Sequence, residues 1–136
     1  MAEKITCIVV EPEKRPAVVK IEHTLDALQT AVGGNIEAVY PFDDPVAIIC
    51  NEDGYYSRLP LNRALYMDGE LRDRGEMYDI IKGKFLIVGL TDESFGDLSP
   101  ELARKYCARF ELEEIYLNIG GELRQYKGKT KLVSEL

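Results

Sequence analysis

The chain has 136 residues, of which 46% are hydrophobic and 30% are charged, and its formal net charge is −7. This length fits one domain that buries a core without a metal or disulfide. An acidic body repels phosphate, which disfavours binding of nucleic acid. Apolar runs are too short to span a membrane, and residues 1–4 lead into a strand-like segment rather than a secretory leader. We therefore expect a cytoplasmic protein without membrane contact.

The charge is unevenly distributed. Residues 124–136 carry Arg124 and three lysines against Glu135, a net charge of +3, which leaves −10 for residues 1–123. Such a tail is usually solvated, although it could contact phosphate or an acidic protein.

The first half of the chain predicts a hairpin, a helix and two strands. Residues 5–10 are almost continuously apolar and residues 17–22 alternate, with prolines bracketing the turn between them. Thr24 is placed to cap a helix that ends at Gly33-Gly34. The two strands follow in the segments 36–40 and 46–50, separated by a turn.

The middle of the chain is less regular. Residues 59–65 are compatible with a short helix after Pro60 or with an extended segment, and residues 68–76 predict an exposed loop. Residues 85–88 are continuously apolar, which predicts a buried strand.

The last part of the chain predicts a second helix and a final hairpin. Ser99 and Pro100 are typical of a helix start. From Ile115 onward the chain could form a closing hairpin that turns at Gly120-Gly121. The same segment could instead pair with a second copy and form a homodimer.

This order of elements predicts an α+β fold. We expect a β-grasp-like mixed sheet with one packed helix, to which a C-terminal helix is added and, in one of the two arrangements above, a terminal hairpin. The domain is placed at residues 1–111. Residues 112–136 are placed in a C-terminal extension that comprises a strand or hairpin and the basic tail.

No catalytic constellation is evident. His23 is the single histidine and supports neither a zinc site nor a nucleophile pair, and P-loop and dinucleotide fingerprints are absent. The cysteines are widely spaced without a CxxC motif, so we interpret them as apolar residues in a reducing compartment. The sequence therefore predicts no metal, no cofactor and no enzyme.

The candidate binding residues are six polar and aromatic side chains from two segments: Tyr40, Phe42, Asp43, Asp44, Asn62 and Arg63. Asn62 and Arg63 lie among apolar residues, where a stranded donor costs about 1–3 kcal/mol. In a structural interpretation, Asn62 bonds the backbone of a turn and Arg63 pairs with Asp43 or Asp44. In a functional one, Arg63 holds an anionic ligand between the rings of Tyr40 and Phe42.

Four blocks, in order, carry a family resemblance: LDALQ with VGGNIE (25–37), YPFDD (40–44), LPLNRAL (59–65) and YDIIKGKFLIVG (78–89). Over about residues 4–110 the chain resembles the family called domain of unknown function 3846. The resemblance implies a protein carried by phages and conjugative elements of Firmicutes. It implies no activity and no catalytic residues.

The leading hypothesis is a non-catalytic binding or accessory protein of a phage or mobile genetic element. It would act on a host protein, an element-encoded protein or a small ligand, with an anti-defence role as one option. One alternative is a small metal-dependent hydrolase that uses Asp43, Asp44 and Arg63. Another is an assembly module whose terminal strand adds to a neighbouring sheet edge.

Overall fold

A computed structural model describes residues 3–54, 58–66, 68, 79–112 and 114–127. Within these ranges the chain forms two helices, α1 (Leu25–Val32) and α2 (Pro100–Arg109). The strands are β1 (Lys4–Val10), β2 (Ala17–Glu22), β3 (Ile36–Val39), β4 (Val46–Asn51), β5 (Leu61–Leu65), β6 (Asp79–Lys82), β7 (Phe85–Leu90), β8 (Phe95–Gly96), β9 (Glu114–Ile119) and β10 (Glu122–Lys127).

The central sheet has the strand order β2-β1-β7-β4-β3, and β8 pairs with β7 beside this path. Its middle strands are the most apolar segments of the chain. Ile87 of β7 pairs with Ile8 on one side and with Ile48 on the other. This row of isoleucines is buried, which explains why these three strands lie at the centre of the sheet.

Each face of the central sheet is covered by a different set of elements. On one face α1 places Leu28 and Val32 against β1, β4 and β7. On the other face α2 and the β5–β6 hairpin pack over a larger cluster that contains Tyr106 and Phe110. Because both faces are buried, alternate residues of each middle strand belong to different cores.

The two helices begin at the predicted caps. Thr24 Oγ1 accepts a hydrogen bond from Ala27 N at 3.1 Å, and Ser99 Oγ accepts one from Leu102 N at 3.2 Å. Helix α1 ends at Gly33, whose φ of 82° lies in the left-handed region that glycine tolerates. In the described residues neither helix is long and apolar enough to cross a membrane.

Residues 61–65 form a strand, which decides between the two predicted conformations. β5 pairs with β6, with a bulge between Leu61 and Arg63. Gly83 N donates to Pro60 O at 2.7 Å, which ties the start of the strand to the chain after β6. The exposed loop predicted at residues 68–76 falls, except for Asp68, outside the described residues.

Of the two arrangements expected for the segment after Ile115, the closing hairpin is the one observed. β9 and β10 pair from Glu114 opposite Lys127 to Ile119 opposite Glu122. Gly120 and Gly121 connect them with φ values of 61° and 85°, the positive values that a tight two-residue turn requires. Residues 128–136 of the predicted basic tail lie outside the described residues.

The predicted α+β class is therefore confirmed. The opening hairpin, the helix on one face and the late buried strand between β1 and β4 are all present. The recorded strand pairs are antiparallel, so the predicted mixture of parallel and antiparallel pairing is not observed among them.

Candidate binding cleft

Arg63, the predicted anion-binding residue, is completely buried on β5, with an exposed fraction of 0%. Its Nε and Nη2 atoms both donate to Phe110 O at 3.2 Å, and Nη2 also donates to Lys14 O at 2.5 Å. These bonds connect β5 to the β1–β2 turn and to the end of α2. A ligand in solvent cannot reach this guanidinium without opening the fold.

Asn62 is equally buried and completes the same network. Its side-chain nitrogen donates to Val10 O at 3.0 Å and to Gly83 O at 2.8 Å. Its side-chain oxygen accepts from Arg63 Nη1 at 2.9 Å. The amide therefore bonds the chain backbone, as the structural interpretation anticipated.

Asp44 lies beside α2 rather than beside Arg63. Its Oδ2 accepts hydrogen bonds from Lys105 Nζ at 2.5 Å and from Tyr106 Oη at 2.7 Å. The bond from Lys105, together with that from Tyr106, holds the pKa of the Asp44 carboxyl below its usual range. Burial, followed by the bond to Asp44, raises the pKa of Tyr106. The predicted pairing of Arg63 with Asp43 or Asp44 is thus not the arrangement observed.

Phe42 belongs to the core beneath α2. Its ring centroid lies 4.8 Å from that of Tyr106, and the Arg109 guanidinium stacks 4.3 Å above it. Arg109 is held there by Asp68, with Nη1 3.0 Å from Oδ1. Phe42 is consequently a covered aromatic side chain and not an open wall.

The remaining two predicted residues are exposed. Tyr40, directly after β3, is 58% exposed. Asp43 lies at the surface of the following turn, and its main-chain nitrogen donates to Asp68 Oδ2 at 3.0 Å. The six predicted residues therefore do not form one site.

The structure reveals a different candidate site, which we call the β4–β6 cleft. It is a cavity of about 210 Å³ between the β3–β4 edge of the central sheet and strand β6. Its lining residues are Glu37, Val39, Cys50, Asn51, Glu52, Gly54, Leu65, Asp79, Ile80, Ile81 and Lys82.

The β4–β6 cleft has an apolar floor and a charged rim. Leu65 and Ile81 are buried members of the core and form apolar surface within it. The rim carries three exposed carboxylates and one half-buried cation: Glu37, Glu52, Asp79 and Lys82. Such a site suits a small ligand group with an apolar part and a positive charge.

Cys50 reports on the electrostatics of this cleft. Its Sγ lies 3.7 Å from Glu37 O, to which it donates a weak hydrogen bond. Burial, together with the smaller effect of the negative charges of Glu37 and Asp79, raises the pKa of the thiol to about 11. The thiol is therefore protonated at neutral pH, and carboxylates from both walls act on the same point.

The sequence also did not predict the contact between His23 and Ser94. His23 Nε2 and Ser94 Oγ lie 3.1 Å apart although 71 positions separate them in the chain. Ser94 is exposed in the β7–β8 turn, and neither residue lines the β4–β6 cleft. Among the described residues, no group of three or more His, Cys, Asp or Glu side chains is placed to hold a metal ion.

Glu37 and Asp79 of the β4–β6 cleft were also missed by sequence reasoning. Glu37 alternates with apolar neighbours on a short strand, which predicts only a solvated strand face. Asp79 belongs to a segment whose pairing with Leu65 depends on tertiary contacts. No local motif connects the two positions.

The family model named Domain of unknown function (DUF3846) matches residues 5–111. The chain belongs to this family. Every lining residue of the β4–β6 cleft falls within the DUF3846 match, whereas the β9–β10 hairpin follows it. No curated protein and no solved structure matches the chain.

Proposed function

We propose that this DUF3846 protein is a non-catalytic binding protein that recognises its partner through the β4–β6 cleft. The observation that carries the proposal is the combination, in one cavity, of a buried apolar floor with three rim carboxylates. An apolar floor supplies affinity by losing contact with water, and fixed charges select the ligand.

The partner is a host protein, an element-encoded protein or a small ligand. In this proposal the protein acts in the cytoplasm as an accessory protein of a phage or mobile genetic element, the setting that its family resemblance implies. An anti-defence role follows if the partner belongs to a host defence system. The net charge of −7 supports a partner other than nucleic acid.

The geometry gives less support to the hydrolase alternative. That mechanism requires Asp43, Asp44 and Arg63 to converge on a metal and a water molecule. Arg63 is fully buried against main-chain carbonyl groups, while Asp44 binds Lys105 and Tyr106. Neither Asp44 nor Arg63 lines the β4–β6 cleft.

The test is native mass spectrometry of the tagged full chain after expression in its own host and gentle purification. The cleft variant is Asp79→Arg, which reverses one rim charge and places a long side chain at the mouth. The matched control is Asp92→Arg, since Asp92 is exposed in the β7–β8 turn and gives the same change of net charge. The same spectra report the number of copies in the assembly.

We expect a stoichiometric partner or retained ligand with the wild type and with Asp92→Arg, and its loss with Asp79→Arg. Equal retention by both variants would overturn the assignment of the cleft. Metal-dependent turnover that Asp43→Asn abolishes would overturn the non-catalytic proposal itself.

A further inference from the structure

We propose that the β4–β6 cleft binds a primary ammonium group carried on an aliphatic stem. This inference rests on the binding function proposed above and names the chemical class of the ligand. The shared chemistry covers two sources, a free alkylamine and the lysine side chain of a partner protein.

The positive charge of the expected ligand follows from the charges on the rim of the cleft. Glu37 comes from the β3 wall, Glu52 follows β4, and Asp79 begins β6, so the carboxylates come from three different parts of the lining. Lys82 is the single cation among the described lining residues, which leaves an excess of two negative charges. An anionic ligand is repelled by such a rim, whereas a cation is attracted to it.

The need for an aliphatic stem follows from the floor. Val39, Leu65 and Ile81 present apolar surface in the same cavity as the carboxylates. A lysine-like group places its methylene chain along apolar surface while its ammonium stays at the polar boundary. A bare metal ion would leave this floor unused.

The size of the cavity limits the ligand. A volume of about 210 Å³ lies below the roughly 300–1,000 Å³ of pockets that enclose drug-sized molecules. One extended alkylammonium group suits this space better than a nucleotide or a folded peptide. An ammonium is also a compact point charge, which rim carboxylates on more than one wall of the cleft attract.

The experiment is a titration of the ¹⁵N-labelled full chain at low ionic strength, followed by amide chemical shifts. The probes are butylammonium chloride, 1-butanol and sodium butyrate, which share a four-carbon chain and differ in charge. The cleft variant is the double substitution Glu37→Gln/Asp79→Asn. The control is Asp92→Asn/Glu93→Gln, which removes two exposed carboxylates from the β7–β8 turn.

We expect butylammonium to shift the amides of Glu37, Cys50 and Ile80 in a saturable manner. Affinity should fall at least about tenfold in the cleft variant, because two attractive charges are removed, and stay unchanged in the control. Binding of 1-butanol or butyrate as tight as that of butylammonium would contradict the inference. Equal butylammonium affinity in the two double variants would also contradict it.

A second arm distinguishes the two sources. An acetylated, amidated peptide with one central lysine is compared with butylammonium and with the same peptide carrying norleucine. Tighter binding of the lysine peptide than of butylammonium assigns the site to a protein partner, and the reverse order assigns it to a free amine. Equal binding of the norleucine peptide contradicts recognition of the ammonium.

The two proposals can fail separately. If Asp79→Arg abolishes partner binding but no ammonium probe binds, the binding function stands and the ligand class is wrong. If Asp79→Arg leaves partner binding unchanged and no ammonium probe binds, both proposals are wrong.

Discussion

The main-chain nitrogen of Ala64 donates a hydrogen bond of 2.9 Å to Oε1 of Glu114. The two residues are 50 positions apart, and Glu114 lies beyond the part of the chain that matches the family model. Glu114 is 6% exposed, so this carboxylate joins the first residue of β9 to the buried strand β5. The terminal hairpin is therefore attached to the family domain by a buried polar contact.

Replacing Glu114 with alanine should destabilise the protein by about 1–3 kcal/mol, because the amide of Ala64 is left buried without this acceptor. Urea unfolding followed by circular dichroism measures the change. Glu93→Ala, in an exposed turn, is the control and should change stability by less than about 0.5 kcal/mol. Equal midpoints for the two variants would contradict a structural role for Glu114.

Replacing Arg63 with methionine should cost at least about 3 kcal/mol. The variant removes the donors that bond Lys14 O, Phe110 O and the Asn62 side chain, and each unsatisfied buried group costs about 1–3 kcal/mol. Arg63→Lys should recover only part of this loss, since one ammonium lacks the planar fork of the guanidinium.

Arg15→Met is the matched control for Arg63. Arg15 is exposed and lies 3.7 Å from Glu111, so its loss should cost less than about 1 kcal/mol. Preserved stability of Arg63→Met together with lost partner binding would reverse the structural interpretation and favour a functional one.

Asp44→Asn should weaken the dependence of stability on acidic pH. The pKa of Asp44 is lowered in the folded state by Lys105 and Tyr106, so its contribution is complete above the ordinary aspartate pKa of about 3.9. That contribution disappears as the pH falls through the lowered folded-state pKa. The free energy of unfolding of the wild type should therefore decrease more steeply than that of the variant as the pH approaches 2.

Unfolding curves recorded between pH 2 and 7 test this expectation, with Asp43→Asn at the exposed neighbouring position as control. At neutral pH the Asp44 substitution should cost no more than about 1 kcal/mol, since the pair with Lys105 is partly exposed. Parallel pH profiles for the wild type and Asp44→Asn would show that the carboxylate is not stabilised in the folded state.

Removing the rim charges should make Cys50 more reactive. The negative charges of Glu37 and Asp79 help to raise its pKa to about 11, so Glu37→Gln/Asp79→Asn should lower that pKa and increase the thiolate fraction. Alkylation by iodoacetamide at pH 8, followed by peptide mass spectrometry, measures the rate. Cys107 is the internal reference, because its pKa is raised by burial and not by the rim carboxylates. Equal acceleration at both cysteines would point to loosening of the fold instead.

The helices and the central strands were predictable because their determinants lie within a few residues of each other. Thr24 and Ser99 bond main-chain nitrogens three positions ahead, and Gly33 ends α1 through its own backbone conformation. Likewise, a strand that is apolar along its whole length is buried only when both faces of the sheet are covered, as in β4 and β7.

The candidate site was not predictable in the same way. Asp44 and Arg63 are each compatible with several partners in the sequence, and the choice depends on which elements approach them. Helix α2 brings Lys105 to Asp44 from 61 positions away, and the end of α2 places Phe110 O against Arg63 from 47 positions away. No local spacing contains that information.

The amino-acid sequence by itself determined the α+β class, the helix caps and the buried strands, because short-range sterics, hydrogen bonds and apolar periodicity specify them. Only the tertiary structure decided that β5 is extended, that Arg63 is an internal connection, and that Glu37 and Asp79 face one cavity. Those outcomes depend on contacts between distant segments, whose energies become available only when the sheet and its covering elements have assembled.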